Sequence, residues 1–182
     1  GDGTDEMEDV LAIDFGGNYI PTKISGGDTY SCALLDDPTT TENEGLLKCW
    51  GDGANGKLGQ DSTADIGSAS DAVATMSPVH LGGGLCSDLS HTTYSACDGA
   101  GGTWSDNANV AAEDIVSAVA HSCAILSGGN VKCFGNGADG RLGQNNTTAY
   151  GNASRGVNQL ANISFGGECS VSEYSDTTSE EC

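Results

Sequence analysis

Apolar and polar residues alternate over short segments of this chain, and glycine-rich turns separate those segments. An alternation of two residues is typical of β-strands, whose successive side chains point to opposite faces of a sheet. In the clearest case two such segments flank the loop 127–129 (Ser-Gly-Gly), a length that closes an antiparallel hairpin. If Cys123 lies opposite Cys133, then Ile125 lies opposite Val131, and all four side chains share one face. The pattern predicts an all-β chain of short antiparallel strands.

An earlier hairpin obeys the same arithmetic. Placing Cys32 opposite Cys49 puts Leu34 opposite Leu47, so one register fits two separate parts of the chain. The connection between these strands, 36–45, is polar and contains a proline, and we interpret it as a surface loop.

The two hairpins belong to an internal repeat. The eight cysteines form two sets of four, whose corresponding members are 83 to 91 residues apart. The segment 50–60 (WGDGANGKLGQ) aligns with 134–144 (FGNGADGRLGQ), with seven identities in eleven positions. Duplication explains this agreement. We therefore divide the chain into a partial repeat at 1–31, a first repeat at 32–114 and a second repeat at 115–182.

The cysteines predict disulfides. Apolar residues make up 37% of the sequence and aromatic residues 5%, so the core must be thin and in need of covalent reinforcement. Zinc would require closely spaced cysteine pairs, which are missing from the sequence. Locality and the internal symmetry select one connectivity: Cys32–Cys49, Cys86–Cys97, Cys123–Cys133 and Cys169–Cys182. Because disulfides persist in oxidising compartments, we expect an extracellular or cell-surface location.

Four sequons for N-glycosylation lie close together, at Asn145, Asn146, Asn152 and Asn162. They predict covalent glycans on an exposed surface, although Asn and Thr are also common turn residues. The net charge is −20, with 26 acidic and six basic residues, which opposes binding to the phosphates of a nucleic acid. The sequence has no apolar run of membrane-spanning length. We expect either that a leader preceded Gly1 or that the chain is part of a longer product.

Candidate catalytic and metal-binding groups are few. The three histidines lack the spacing of metal ligands: His80, His91 and His121. His121 is close to Cys123, but the corresponding residue of the first repeat is Tyr30, which favours a packing role over a nucleophilic pair. The loops 52–56 and 136–140 lack the oxygen donors of a calcium loop and are interpreted as turns. We expect no enzymatic activity, no metal and no cofactor.

Four of the six cations lie at repeated positions, Lys48 with Lys132 and Lys57 with Arg141. Two explanations remain open from the sequence. They pair with acidic groups of a neighbouring repeat, or they balance charge within their own repeat.

The repeated segment carries a signature that runs from Ile24-Ser-Gly-Gly27 through Leu47-Lys-Cys-Trp-Gly51 to Gly56-Lys-Leu-Gly-Gln60, with an echo that ends Gly140-Arg-Leu-Gly-Gln144. It resembles the repeat of the regulator of chromosome condensation family, and segment 3–16 resembles the connection between repeats in secreted, cysteine-bearing members. The resemblance implies blades of a β-propeller, but two repeats are too few to close a ring. It implies no catalytic residue.

These observations favour a fold of tandem, antiparallel, propeller-blade-like repeats with disulfide-stapled loops. A repeat that cannot cover its own apolar face needs a neighbour. Our first hypothesis is an extracellular structural subunit that joins other copies of itself head to tail in a filament or surface layer. The alternative is a fragment of a secreted or cell-surface propeller that recognises a protein or glycan.

Overall fold

The computed structural model describes residues 11–39, 45–68, 72–82, 110–163 and 165, and the backbone of 85–86 and 104–105. Across these residues no helix is long and apolar enough to cross a bilayer. The strands follow one another in chain order: β1 Ile20–Gly26, β2 Tyr30–Asp36, β3 Leu46–Gly51, β4 Leu85–Cys86, β5 Trp104–Ser105, β6 Ala112–Ser117, β7 His121–Leu126 and β8 Val131–Gly135. One helical turn, α1 Ala72–Thr75, and three short 3-10 turns complete the described elements, at Ala54–Gly56, Ala138–Gly140 and Val157–Gln159.

Two three-stranded antiparallel sheets form the body of the fold, in the orders β1-β2-β3 and β6-β7-β8. In the first sheet Cys32 lies opposite Cys49 and Leu34 opposite Leu47. The second sheet repeats this register with Cys123 opposite Cys133 and Ile125 opposite Val131. The predicted all-β architecture and both predicted registers are therefore confirmed.

The outer strands β1 and β6 carry the same irregularity. In β1 the pairing shifts between Pro21 and Lys23, and in β6 it shifts between Ala112 and Asp114. A bulge of this kind twists a strand and redirects its side chains. Both sheets begin before the boundaries at 31/32 and 114/115, since β1 starts at Ile20 and β6 at Ala112. The division into three repeats remains a prediction.

Disulfides link the central strand of each sheet to its neighbour, at Cys32–Cys49 and Cys123–Cys133. The bonds predicted for Cys86–Cys97 and Cys169–Cys182 lie outside the described residues. A chain-entropy estimate gives about 3 kcal/mol for a loop of this size. Such a term matters because the apolar core between the sheets is thin.

The turns that follow β3 and β8 also match. In each, a side chain accepts a hydrogen bond from the backbone two residues later: Asp52 Oδ1 from Ala54 N at 2.8 Å, and Asn136 Oδ1 from Ala138 N at 2.9 Å. The third residue after each of these acceptors has a positive φ, 61° at Asn55 and 59° at Asp139. Asn and Asp tolerate this conformation better than other non-glycine residues. The interpretation of these loops as turns agrees with this geometry.

Candidate functional site

The contact between the two sheets is the candidate functional site, because it shows how one repeat packs on another. Side chains of β2 and β3 on the disulfide face of the first sheet point toward the second sheet, and we call this face of either sheet its trailing face. The opposite face we call the leading face. The junction is the packing of the first sheet's trailing face against the second sheet's leading face.

Apolar side chains fill the junction. From the trailing face come the buried residues Cys32, Leu34, Leu47 and Cys49, and from the leading face come Ile115, Ala124 and Leu126, all in one core cluster. Because residues of both faces belong to one cluster, the junction is a continuous core and not a loose contact between units. Burial of its apolar area stabilises the contact by roughly 25 cal/mol per Å².

Polar groups fix the alignment of the junction. The Tyr30 hydroxyl donates to His121 O at 2.6 Å and lies 2.8 Å from Ser122 Oγ. Burial raises the pKa of Tyr30, so this phenol is a neutral donor near pH 7. Ser117 N donates to Ser25 Oγ at 2.7 Å. These bonds tie the strand pair β1–β2 to β6–β7.

An ion pair spans the same junction. Lys23 Nζ contacts Asp114 Oδ1 across the two bulged strands. This bond, with help from Ile115 N, holds the pKa of Asp114 below its usual range. Lys23 and Asp114 occupy corresponding positions of the two repeats, 91 residues apart, so unlike charges meet where the repeats are stacked. This pair was not predicted from the sequence.

Two of the four repeated cations form ion pairs within their own repeats. Lys57 donates to Asp52 at 2.8 Å and Arg141 to Asp139 at 2.9 Å, each partner lying in the same turn. Of the two explanations left open, charge balance within a repeat fits these two.

Lys48 behaves differently. Its ammonium group donates to three backbone carbonyl oxygens, of Phe15, Val73 and Ala74, at 2.7, 3.1 and 3.3 Å. Burial lowers the pKa of Lys48, and the Asp14 carboxylate opposes that shift. Neither explanation offered from the sequence describes this group, because its direct partners are peptide carbonyls.

The thiol of Cys123, the nucleophile considered for a pair with His121, is consumed in the disulfide. The His121 side chain is half-buried and its carbonyl belongs to the junction. Burial, followed by the nearby Arg141, lowers its pKa. His80 is half-buried as well, and His91 lies outside the described residues. Among the residues that the structure describes, no three His, Cys, Asp or Glu side chains group closely enough to hold a metal ion.

The sequon asparagines lie along the turns after β8. Asn145, Asn146 and Asn162 are exposed, and Asn152 is half-buried. The Asn152 side chain is engaged on both sides: its Oδ1 accepts from Ser154 N and Arg155 N, and its Nδ2 donates to Ala149 O. Glycosylation at all four positions remains a prediction.

The outward faces at the two ends of the sheet pair expose the counterparts of buried junction residues. Ile115 is 1% exposed inside the junction, whereas its counterpart Ile24 on the first sheet is 61% exposed. Leu34 is 5% exposed, whereas its counterpart Ile125 on the second sheet is 42% exposed. Val116, paired with Cys123 on the same trailing face, is exposed as well. Each end thus presents part of a junction, which we call a half-junction. At the leading end Ile24 is exposed, whereas Ala33 and Leu35, the counterparts of Ala124 and Leu126, are already buried.

No protein-family model matches this chain, and no curated protein sequence matches it. Among solved structures, human WBSCR16 matches with a TM-score of 0.43 and 13% identity, over 74% of this chain and 25% of that protein. Yeast RCC1 (Prp20), crystallised with Kap60, matches with a TM-score of 0.38 and 15% identity, over 71% and 23%.

A second structure of Prp20p from Saccharomyces cerevisiae, a protein described as binding Gsp1p and histones, matches with a TM-score of 0.37 and 16% identity, over 71% of this chain and 23% of that protein. The chain therefore spans about a quarter of the length of these proteins. At such TM-scores the likeness carries no weight by itself. The description of the fold as tandem antiparallel repeats rests on the registers and the duplicated turns.

Proposed function

We propose that this chain is an extracellular structural subunit, stapled by disulfides and glycosylated, that assembles head to tail with other copies of itself into a filament or surface layer. The observation that carries the proposal is the pair of half-junctions. The leading side of the first sheet exposes Ile24, and the trailing side of the second exposes Val116 and Ile125.

The internal junction supplies the geometry of the contact between copies. Stacking the trailing face of one copy's second sheet on the leading face of the next copy's first sheet repeats the arrangement already present inside each chain. Because the two half-junctions differ, the contact is head to tail and continues from copy to copy unless its rotation closes a ring.

Charge at the ends favours the same order. Asp114 meets Lys23 inside the chain. In a head-to-tail stack, Asp114 of one copy would be followed by Lys23 of the next copy at the corresponding position. Acidic and basic side chains would then alternate along the stack. Head-to-head contact would instead bring two copies of the same residue together, and such like charges repel.

Disulfides and sequons support the extracellular setting. Two disulfides are present in the described residues, and such bonds persist in oxidising compartments. Asn145, Asn146 and Asn162 are exposed, so these three positions are accessible to glycosylation. The partners we propose are other copies of the chain and covalent sugars, with no nucleic acid, because a net charge of −20 repels phosphate.

A second candidate function follows from the same half-junctions. Further repeats of one longer polypeptide would cover them equally well. In that case the chain is a segment of a propeller that recognises a protein or glycan through its loops.

An assembly assay with matched variants tests the proposal. Ile125→Asp places a charge on the trailing half-junction, whose counterpart Leu34 is buried. Val119→Asp is the control. Its counterpart is Asp28, which is exposed although its own repeat is stacked on the next, so position 119 lies outside the junction.

We expect the unmodified chain and Val119→Asp to form large, concentration-dependent assemblies in light scattering, and Ile125→Asp to remain monomeric with unchanged thermal unfolding. A chain that stays monomeric at every concentration would contradict the polymer and favour the recognition segment. Equal effects of the two variants would show that the trailing face is not the contact.

A further inference from the structure

Three five-residue segments share one pattern: an apolar residue, a polar residue, an apolar residue and two glycines. They are Ile13-Asp-Phe-Gly-Gly17, Val79-His-Leu-Gly-Gly83 and Ile163-Ser-Phe-Gly-Gly167, and we call them the first, second and third arms. The central apolar residue of the first two arms is buried: Phe15 is 7% exposed and Leu81 is 4% exposed. The central residue of the third, Phe165, is 79% exposed.

The second arm shows what an arm does. It leaves the first sheet through a backbone bond from Val79 N to Leu47 O at 2.6 Å. Leu81 then joins the core cluster that contains Leu126, and it lines a cavity with Lys132 of the second sheet. The arm therefore starts on one repeat and inserts its central side chain against the leading face of the next.

The first arm fills the corresponding place on the first sheet. Phe15 packs with Ala33 and Leu35, and its carbonyl accepts a hydrogen bond from Lys48 at 2.7 Å. Ala33 lies opposite Lys48 in the sheet, so these groups share the leading face. We call Ala33, Leu35 and Lys48 the socket. In this chain the socket is occupied from within.

The third arm leaves the second sheet as the second arm leaves the first. Ile163 N donates to Val131 O at 2.8 Å, the counterpart of the bond from Val79 to Leu47. Phe165 of this arm corresponds to Leu81 of the second arm, whose side chain belongs to the core cluster at the leading face of the following sheet. The chain thus has three arms for two leading faces.

We propose that Phe165 of one copy enters the socket of the next copy and displaces that copy's Phe15. This exchange rests on the proposed head-to-tail assembly and specifies its contact. In a stack of copies, Phe15 of one copy and Phe165 of the preceding copy would compete for one socket. Inside the chain, the arm of the first repeat packs on the leading face of the second, so we expect the arm of the preceding copy to take the socket. The displaced ring and the entering ring are identical, so Phe15 acts as a removable plug that covers the socket of a free copy.

Opposite effects of two substitutions test the exchange. Phe165→Ala removes the entering ring and should raise the concentration needed for assembly by about tenfold or more, the ratio that follows when a contact of roughly 1.4 kcal/mol is lost. Phe15→Ala removes the competing ring and should lower that concentration. Leu11→Ala is the control, because Leu11 is exposed and lies outside all three arms.

Phe15→Leu is a second variant for the case in which Phe15→Ala does not fold. Leucine is the central residue of the second arm, Leu81, so it should be tolerated at position 15. If Phe15→Ala no longer unfolds cooperatively, Phe15→Leu should still lower the concentration for assembly, by a smaller factor. An unchanged or higher concentration for the folded Phe15 variant would overturn the exchange, as would normal assembly of Phe165→Ala. If Ile125→Asp blocks assembly while Phe165→Ala does not, the exchange fails and the head-to-tail contact stands.

Discussion

Asp52 and Lys57 form the one turn ion pair in the described residues whose cation is almost fully buried, with the Lys57 side chain 6% exposed. The Lys57 ammonium, followed by Ala54 N, lowers the pKa of Asp52 to about 2. The ammonium also faces the ring of Tyr30 at 5.4 Å from its centroid. Because Tyr30 belongs to the junction, this pair connects a turn of the first repeat with the contact between repeats.

Asp52→Asn makes the first turn resemble the second, where Asn136 accepts the equivalent bond from Ala138 N. The asparagine should keep the hydrogen bond from Ala54 N, and with it the turn, but it removes the negative charge that pairs with Lys57. A carboxyl with a native pKa of about 2 against an ordinary value of 3.8 stabilises the fold above pH 4 and loses that contribution as the pH falls toward 2. The variant should therefore be less stable than the unmodified chain at pH 7 and equally stable near pH 2.

Urea unfolding at several pH values, without reductant, measures this difference. Asp139→Asn is the control, because it removes an ion pair whose carboxylate is 87% exposed, and exposed pairs contribute little. A stability difference for Asp52→Asn that stays constant from pH 7 to 2 would contradict the account.

At the scale of elements, the 3-10 turns after β3 and β8 have the same conformation but different surroundings. Gly56 has φ of 75° and Gly140 has φ of 71°, so alanine is strained at both. A Cβ on Gly56 would lie 2.5 Å from Gly151 C of the second repeat, whereas a Cβ on Gly140 would have no atom within 4 Å. Comparing alanine substitutions at the two glycines therefore separates the cost of the contact with the second repeat from the cost of the strained turn.

Gly140→Ala should lower the free energy of unfolding by about 1–2 kcal/mol, the usual cost of a left-handed alanine. Gly56→Ala should cost about 1–3 kcal/mol more, because its methyl group also collides with the backbone of Gly151 in the second repeat. Thermal or urea unfolding of both variants under oxidising conditions checks the difference. Equal losses of unfolding free energy in the two variants would mean that the turn at Gly56 does not contact the second repeat closely.

The elements themselves could be predicted well from the sequence. Strand register followed from the spacing of the cysteines and the alternation around them, since Cys32 and Cys49 fix Leu34 against Leu47. Burial could not be read in the same way. Leu34 and Ile125 occupy corresponding places on their sheets, and only the neighbouring sheet makes one buried and the other exposed.

The contacts between repeats escaped prediction for a related reason. Lys23 and Asp114 are 91 residues apart and carry opposite charges, so alignment of the repeats shows them as a mismatch. The arms were also missed as a set of three, although the recurring Gly-Gly after an apolar residue was a usable signal. The direct partners of Lys48 are carbonyl oxygens, which carry no sequence signature.

For the whole molecule, the decisive feature is that the described residues contain one complete junction and, at each end of the sheet pair, only part of another. The complete junction buries Ile115 and Leu34, and the half-junctions expose Ile24 and Ile125. Stacking of copies would bury the exposed members against partners of the kind already present inside the chain. A net charge of −20 on each copy opposes this, so we expect added salt to favour assembly by screening the repulsion.

Electron cryo-microscopy of the chain under assembling conditions tests the central claim most directly. The account predicts filaments or layers in which the second sheet of one copy stacks on the first sheet of the next, with the spacing and rotation that relate the two sheets inside one chain, and with Ile125 buried at the boundary. Separate particles at every concentration, or assemblies whose contacts leave Ile24 and Ile125 exposed to solvent, would contradict it.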